Sequence, residues 1–400
     1  MTLRRWILIG LAVVVVLAGA GGFLFWRSEA QQPETRPAPA QPVGIAIPKA
    51  PEQIKIGVLI TLTGKPGQGA EWKAAAEGAR VAAERLAMGG VSVQLSAVDD
   101  KGTEKGARRA VQQLAEEGVT GIVAASQGSH LEGAVAAAQE AGVPLLLPYE
   151  PDADLLGKWI WSTGPQDEAI GAALQASLQA DERKRTLLVD VGGGAPESVE
   201  VFGKLRFEPG DDVKDLIKQI SARTSTSKKI DSVLISGPAA QQAVVVQALQ
   251  GADLTVPVTL TPEALSPAFA EALVAADGSL STSLASVGTD TDDAAALGSD
   301  ASGKAVAAFL SATRMLASDP EQKSLLGDRP FAEVAAGADV RSHDAVIALA
   351  YAATALARTG ESDPVATIAG LRLDHSNGLA GPVLDFSHGA ALDPEAVVAL

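Results

Sequence analysis

The segment that decides the fold is residues 54–62, IKIGVLITL, which is almost entirely aliphatic and β-branched. A continuous apolar run of this kind is typical of a parallel strand that is buried on both faces. Three similar runs follow it along the chain: VSVQLSAVD (91–99), VTGIVAA (119–125) and VPLLLP (143–148). The first segment therefore predicts a core strand of a parallel β-sheet.

Segments with helical periodicity separate these strands. One helix is predicted over roughly residues 71–88, and the next has Ala107, Ala110, Val111 and Leu114 on one face. Alternation of strands and helices predicts an α/β fold with helices on both faces of a parallel sheet. Ligands bind to such sheets beyond the C-terminal ends of the strands.

A second series of strands begins at Thr186. Its apolar runs are TLLVDV, KLRFEP, DSVLISG and VPVTL, and helices are predicted near 213–221, 303–317 and 343–358. The chain has 400 residues, more than one hydrophobic core usually organises. The sequence therefore predicts two α/β lobes with Rossmann-like parallel sheets.

The N-terminal region contains 19 consecutive residues without a charged side chain, 7–25, and a tryptophan flanks each end. A helix of this length reaches roughly 28 Å, close to the thickness of a bilayer's hydrocarbon core. Arg4 and Arg5 precede the stretch, so the positive-inside rule places the N-terminus in the cytoplasm. Residues 1–30 are therefore predicted to be a single-pass transmembrane anchor at the cell membrane, with an extracytoplasmic body.

A cleaved secretory signal is the alternative, because Ser28-Glu29-Ala30 offers small residues of the kind a signal peptidase reads. The apolar stretch is longer than the core of about 7–15 residues that such signals usually have, which favours the anchor. Cleavage would release the same body as a secreted protein. Residues 31–53 carry six prolines and no helical or strand period, so they are predicted to be a proline-rich linker.

Charge and composition exclude several classes of protein. The 32 basic and 48 acidic side chains give a net charge of −16, which opposes binding to nucleic acid. There is no cysteine, so disulfides, thiolate metal sites and cysteine nucleophiles are excluded. The four histidines share no metal-ligand spacing. The sequence predicts no cofactor and no metal ion, and no catalytic motif indicates an enzyme.

Gly192-Gly193-Gly194 follows the strand TLLVDV, where a nucleotide-binding turn would lie. The G-x-G-x-x-G spacing is absent, and Pro196 would disrupt the close turn that holds a pyrophosphate. We interpret the three glycines as a flexible turn.

A polar loop at the end of the third strand is one part of the candidate ligand-binding site. Ser126, Gln127, Gly128 and Ser129 lie between that strand and a helix N-terminus, where free backbone N–H groups favour an anionic group such as a carboxylate. Residues 129–132 also have the S-x-x-E form of a capping box. The two roles of Ser129, ligand binding and helix capping, are compatible.

Two further candidates follow other strands. Tyr149 ends the fourth strand and either forms an aromatic wall for a ligand or packs against Pro148 and Pro151. Glu263 follows VPVTL and either binds a ligand ammonium or stabilises a helix N-terminus as an acid in its first turn.

Several segments, taken in order, resemble a known family: IKIGVLITLTGKPGQG, VDDKGT, GIVAASQGS, GVPLLLPYEPDADL, WSTGP, DAVIALAYAATALA and NGLAGPVLDFSHGAAL. They are similar to the type I periplasmic solute-binding proteins of the branched-chain amino acid, or leucine-binding, class. The resemblance spans about residues 54–400 and implies two lobes that close on a ligand. Lobe 1 would comprise 54–165 and 287–375, and lobe 2 would comprise 166–286 and 376–400.

The resemblance also implies roles for residues. The family holds the carboxylate of an amino acid with a serine loop and with the loop after the fourth strand, which match residues 126–129 and 149–151 here. A glutamate after a strand of the second lobe holds the ammonium group, and Glu263 matches it. The predicted ligand-binding residues are therefore Ser126, Gly128, Ser129, Tyr149, Pro151 and Glu263.

The chain departs from the family pattern in two places. The family has small or hydroxyl residues where this chain has Tyr149, Glu150 and Pro151, so we expect an altered carboxylate site. Only about a dozen residues, 192–203, separate TLLVDV from KLRFEP, where the family has a long helix that begins near a ligand-stacking aromatic residue. We therefore expect the second lobe to have lost or shortened one helix.

Two functional hypotheses follow. The first is an extracytoplasmic solute-binding protein that captures a small polar ligand, such as an amino acid, for an ABC-type permease or a membrane sensor. The alternative is a membrane-anchored sensory or interaction module that keeps the fold without ligand transport. The alternative predicts that side chains such as Tyr149 fill the cleft.

Overall fold

The structure is a computed structural model that describes residues 42–64, 67–224, 229–252, 254–280, 284–289, 291, 294–359 and 363–400. Gln41–Leu400 forms one compact unit. Within the described ranges, no helix combines the length and apolar character that a bilayer span requires. The predicted anchor, residues 1–30, and the first part of the predicted linker lie outside the described residues.

The first sheet contains five parallel strands in the order β2-β1-β3-β4-β5. Its strands are β1 (Ile54–Ile60), β2 (Val93–Asp99), β3 (Gly121–Ala125), β4 (Leu145–Leu147) and β5 (Ile160–Ser162). The residues of β3 and β4 are all buried, as continuous apolar runs require of strands covered on both faces. The parallel sheet predicted from residues 54–62 is confirmed.

Three helices connect these strands: α1 (Gly78–Met88), α2 (Glu104–Glu116) and α3 (Leu131–Ala141). The single helix predicted over 71–88 is wrong in its first half, which instead forms two 3₁₀ turns, Ala70–Trp72 and Ala75–Glu77. The sequence pattern does not separate the two helix types, because both place residues i and i+3 on the same side.

The second sheet also has five parallel strands, in the order β10-β9-β8-β6-β7. The helix α4 (Asp167–Ala180) precedes this sheet in the chain. The strands of the sheet and the helices between them are β6 (Thr186–Asp190), β7 (Gly203–Arg206), α5 (Val213–Thr224), β8 (Ser232–Ser236), α6 (Ala239–Gly251), β9 (Val258–Leu260), α7 (Pro267–Ala275) and β10 (Leu284–Ala285). Residues 191–202 join β6 to β7 without a helix, so the expected loss of a helix is confirmed.

The C-terminal part of the chain returns to the first sheet. It contains β11 (Val287–Gly288), α8 (Ala301–Ser318), α9 (Val340–Thr359), α10 (Pro364–Ala369), β12 (Arg372–Leu373), β13 (Leu384–Asp385) and β14 (Val398–Ala399). The helix α9 packs on β1 and β3, where a side chain at Gly121 would overlap Leu349. Ser162 of β5 bonds to the backbone of Gly389 and Ala391. The assignment of segments to two lobes stays a prediction.

A buried cation connects distant parts of the chain. Arg85 of α1 is 1% exposed and donates to the carbonyl of Val43, the carbonyl of Gly378 and Nε2 of His343. Burial lowers the pKa of Arg85 to about 10 and lowers the pKa of His343 below its ordinary value. His343 is therefore neutral, and its Nδ1–H donates to Asp344, 2.6 Å away. The network fixes the start of α9 against α1.

Glu77 is a second buried ionisable group, at the end of a 3₁₀ turn. Both of its carboxylate oxygens accept the backbone N–H of Leu325, at 3.1 and 2.9 Å. Burial raises the pKa of Glu77 from 4.5 to about 7, although the bond from Leu325 acts in the opposite direction. The carboxyl group therefore keeps its proton to a higher pH in the folded chain than in the unfolded chain.

We predict that Glu77 makes the protein less stable as the pH rises from 4.5 to about 7. In this window the folded state binds a proton that the unfolded state has released, so the free energy of unfolding falls with pH, by at most about 3 kcal/mol. In urea unfolding, Glu77→Gln should therefore stabilise the protein at pH 8 relative to wild type and have little effect at pH 4.5. Glu84→Gln on α1 is the control. A Glu77→Gln effect equal at both pH values would contradict the prediction.

Candidate functional site

The C-terminal ends of both sheets face one small cavity of about 150 Å³. The loop after β1, the loop after β3 and three loops of the second sheet line it, through Gly67, Gly69, Glu71, Gln127, Gly192, Gly193, Gly237, Pro238 and Glu263. Parallel α/β sheets bind ligands at this edge, because the strand-end loops converge there. We therefore take this cavity as the candidate site.

Four larger cavities occur elsewhere in the described part of the chain. One, of about 650 Å³, lies beside Ser232 and residues 254–258, at the N-terminal ends of β8 and β9. The others, of about 550, 510 and 280 Å³, lie beside residues 390–396, between α7 and residues 326–337, and beside Ser129. None of the four is lined by glycine loops of both sheets, so volume alone does not identify the site.

Glu263 places a carboxylate in the candidate cavity. Its Oε2 atom is buried and has no hydrogen-bond partner in the described structure. Burial raises the pKa of Glu263, while hydrogen bonds with the side chains of Thr261 and Gln127 lower it. A buried acceptor without a partner is unfavourable, so this oxygen is suited to a ligand that donates an N–H or O–H.

Gln127 connects Glu263 to the first sheet. Its Oε1 atom accepts Nε1–H of Trp72 at 2.8 Å, and its side chain is close enough to Glu263 to lower the pKa of that carboxyl group. The sequence placed Gln127 in the loop after β3 but did not indicate this contact. Trp72, Gln127 and Glu263 therefore lie next to one another where the loops of the two sheets meet.

Tyr149 lies beneath the cavity rather than on its wall. Its ring, which is 5% exposed, stacks on Trp72 with 4.5 Å between ring centroids, and the guanidinium of Arg341 lies 4.4 Å from its centroid. The hydroxyl donates to Asp339 and contacts the Oγ atom of Ser342 at 2.7 Å. Burial, together with Asp339, raises the pKa of Tyr149 well above its ordinary value. Tyr149 is therefore packed within the chain, against Trp72 and Arg341, whereas the alternative drawn from the sequence was packing against Pro148 and Pro151.

The loop amide predicted to hold a ligand carboxylate has a partner within the chain. The N–H of Gly128 donates to Oε2 of Glu150 at 2.6 Å, and the other oxygen of Glu150 accepts the N–H of Asp152 at 3.1 Å. Glu150 is 6% exposed, and burial raises its pKa although both backbone bonds lower it. The departure from the family pattern at position 150 thus places a protein carboxylate at the amide.

Ser126 belongs to a buried polar cluster below the loop. Its hydroxyl lies 2.6 Å from Oγ1 of Thr61 and 3.0 Å from Nε2 of His130, and Thr61 donates to Asp100 at 2.7 Å. The cluster resembles a catalytic triad in composition only. Nε2 of His130 contacts both Ser126 and Asp100, whereas a triad uses one ring nitrogen for each partner. The geometry therefore gives no proton relay.

Ser129 and Pro151 lie away from the cavity. Ser129 is exposed and lines a separate surface pocket of about 280 Å³ with His130 and Glu132. The capping box predicted at 129–132 is wrong, because α3 begins at Leu131, one residue later than a Ser129 cap would place it, and no side-chain hydrogen bond caps it. The carbonyl of Pro151 accepts the N–H of Asp167.

The glycines after β6 contribute to the cavity in a way that the sequence did not reveal. The N–H groups of Gly192 and Gly194 both donate to Oδ1 of Asp190, at 3.0 and 2.9 Å. Burial acts to raise the pKa of Asp190, but these bonds and the ammonium of Lys204 hold it below its ordinary value. The turn therefore binds a protein carboxylate, as the loop after β3 does.

Of the six predicted ligand-binding residues, Glu263 alone lines the cavity. The others contact partners within the chain or a different surface, and their binding roles stay predictions. Gln127 and Gly237-Pro238 also line the cavity and are not among the six, although their positions after β3 and β8 are the signal that could have identified them.

The comparison with known families agrees with this geometry. A family model described as periplasmic binding protein matches residues 53–393. The chain therefore belongs to the periplasmic binding protein family, in its type I, leucine-binding class. It is accordingly a ligand-binding protein of the periplasmic type. No curated protein sequence matches the chain at a significant level.

Solved structures share the fold at low sequence identity. The branched-chain amino acid binding protein LivJ of Streptococcus pneumoniae, in complex with isoleucine, is 18% identical with a TM-score of 0.60, over 87% of this chain and 99% of LivJ. An ABC transporter substrate-binding protein of Desulfitobacterium hafniense, in complex with Leu, is 16% identical with a TM-score of 0.56, over 85% and 94%. Another from Sphaerobacter thermophilus is 17% identical with a TM-score of 0.61, over 87% and 93%.

We predict that Tyr149 contributes mainly to stability. Tyr149→Phe should lower the free energy of unfolding by about 1–2 kcal/mol, because it removes the hydroxyl shared by Asp339 and Ser342. Tyr149→Ala should cost about 3–5 kcal/mol, because it also removes a buried, stacked ring. Urea unfolding measures both, with Tyr351→Phe at the other tyrosine as control. If neither variant changed stability, Tyr149 would instead be an exposed wall of the cleft.

Proposed function

We propose that this protein is an extracytoplasmic solute-binding protein that holds a small polar ligand between the strand-end loops of its two sheets. The ligand would contact Glu263 from the second sheet and the loop around Gln127 from the first. Because a ligand in this position touches both sets of loops, it would favour the closed arrangement of two hinged lobes.

One observation carries this proposal: Glu263, which lines the cavity of about 150 Å³, has a buried carboxylate oxygen, Oε2, without a hydrogen-bond partner. A buried acceptor without a partner is unfavourable, and a ligand N–H donor would satisfy it. The bound isoleucine and Leu of the similar structures support the class of ligand, a small molecule with an ammonium group. Family membership supports delivery to an ABC-type permease.

We also propose that residues 1–30 anchor the body to the outer face of the cell membrane through one N-terminal helix. The uncharged stretch at 7–25 and the preceding arginines support the anchor. Fractionation of cells should then recover the protein with membranes, and N-terminal sequencing should begin at or near Met1. A mature N-terminus close to residue 31 in the soluble extracytoplasmic fraction would show signal cleavage instead.

We predict that Glu263→Gln weakens ligand binding at least tenfold. The substitution keeps the shape of the side chain but removes the charge that pairs with an ammonium group. Isothermal titration of the full-length chain with amino acids and small amines measures the effect. Glu271→Gln on α7, outside the cavity, is the control. If no compound gave heat or a thermal shift with the wild-type protein, capture of such a ligand would be refuted.

We further predict that affinity for a cationic ligand rises with pH. Burial raises the pKa of Glu263, so more of this carboxyl group is protonated at low pH than for an ordinary glutamate. Ammonium binding needs the ionised form, so affinity should increase by up to about tenfold per pH unit below that pKa. Titrations at pH 5 and pH 8 should show the increase in wild type and a flat response in Glu263→Gln. A wild-type affinity that does not change, or falls, would contradict it.

The alternative, an anchored sensory or interaction module without ligand transport, is favoured by one specific observation. Tyr149, Trp72 and Glu150 are already packed or bonded within the chain at the place where the family binds its ligand. In that case Glu263→Ala should leave every measurable property unchanged except stability. Titration of wild type against Glu263→Gln therefore separates the two functions.

A further inference from the structure

Most of the glycines that line the cavity already use their backbone N–H groups within the chain. Four of the five glycines that line it donate to acceptors within the chain: Gly67 to Glu71, Gly192 to Asp190, Gly193 to the carbonyl of Ser236 and Gly237 to the hydroxyl of Thr261. A ligand carboxylate needs such donors, since an anion in a buried site must be paired or hydrogen-bonded. The glycine loops therefore have few free N–H donors with which to bind an anionic ligand.

Glu150 occupies the backbone N–H of Gly128, the loop amide that the resemblance assigns to a ligand carboxylate. Its carboxylate accepts the N–H of Gly128 at 2.6 Å and that of Asp152 at 3.1 Å, so it has the two-amide contact that an incoming carboxylate would require. A second carboxylate at this loop would compete for the same amide. It would also be repelled by the negative charge of the first.

The side chains that line the cavity favour a ligand that donates hydrogen bonds. Glu71 and Glu263 are its two ionisable side chains, and no described lysine, arginine or histidine lines it. Oε2 of Glu263 is the buried acceptor without a partner. Trp72 and Tyr149 stack on each other outside the cavity lining, so they do not form an aromatic cage of the kind that binds quaternary ammonium groups. The group that fits is an ammonium with N–H donors.

We propose that the ligand is a small primary amine without a carboxylate, and that Glu150 determines this specificity by occupying the amide of Gly128. The inference rests on the proposed function, capture of a small ligand at Glu263. The volume of about 150 Å³ is below the range of about 300–1,000 Å³ typical of ligand pockets, which limits the ligand to a few heavy atoms.

Matched acid and amide pairs test the proposal. Isothermal titration of the full-length chain compares alanine with alaninamide and glycine with glycinamide, which differ in replacing the carboxylate by an uncharged carboxamide. Ethylamine serves as the plain amine. The wild-type protein should bind each amide at least tenfold more tightly than its acid and should bind ethylamine, and Glu263→Gln should lose both.

Variants at position 150 test the cause. Glu150→Ser frees the N–H of Gly128 and should strengthen alanine binding at least tenfold while leaving alaninamide within about threefold. Glu150→Gln keeps an oxygen acceptor at that amide and should stay selective for the amide ligands. Asp154→Asn, an exposed acid in the same loop, is the charge control. Circular dichroism confirms that each variant is folded.

The outcomes separate this inference from the proposed function. Wild-type binding of the acids as tightly as the amides would overturn the amine proposal and leave ligand capture intact. Equal gain of acid binding by Glu150→Ser and Glu150→Gln would show that occupancy of the amide is not the cause. Absence of binding by all five compounds, in wild type and in Glu150→Ser, would refute ligand capture and the amine proposal together.

Discussion

The buried guanidinium of Arg85 is the interaction on which the rest of the structure depends. A cation this deeply buried requires acceptors on every side, and the chain supplies the carbonyls of Val43 and Gly378 together with neutral His343. Asp344 completes the network by accepting from His343 and from the backbone of residues 380–381. Four segments far apart in sequence therefore meet at one charge, and the N-terminal turn of α9 is fixed among them.

The same turn of α9 determines the floor of the candidate site. Asp339 and Ser342 hold the hydroxyl of Tyr149, and Arg341 lies against the rings of Tyr149 and Trp72. Trp72 in turn donates to Gln127, whose side chain lies beside Glu263 and lowers the pKa of that carboxyl group. A structural charge network is thus connected, through packed side chains, to the carboxylate proposed to bind the ligand.

The chemistry of the cleft differs from the family pattern while the backbone is retained. Strand-end amides that suit a ligand carboxylate instead donate to the chain's own carboxylates, as Gly128 does to Glu150 and Gly192 does to Asp190. Amide N–H groups that are bonded in this way are not available to a ligand carboxylate. Under the amine proposal, side-chain substitution in the loops would change the class of ligand without change in the sheets.

The sequence alone determined both parallel sheets, the order of most helices and the missing helix after β6, because burial on two faces imposes continuous apolar runs. It also determined that residues following the strands meet at one edge, which placed Glu263 correctly beside the cleft. Only the tertiary structure decided the partners of Gly128, Tyr149 and Gln127. Tyr149 and Ser342 are 193 positions apart, and local pattern carries no information about such contacts. The S-x-x-E motif at 129–132 likewise did not predict the start of α3, which begins at Leu131 with His130 as its N-cap and no side-chain cap hydrogen bond.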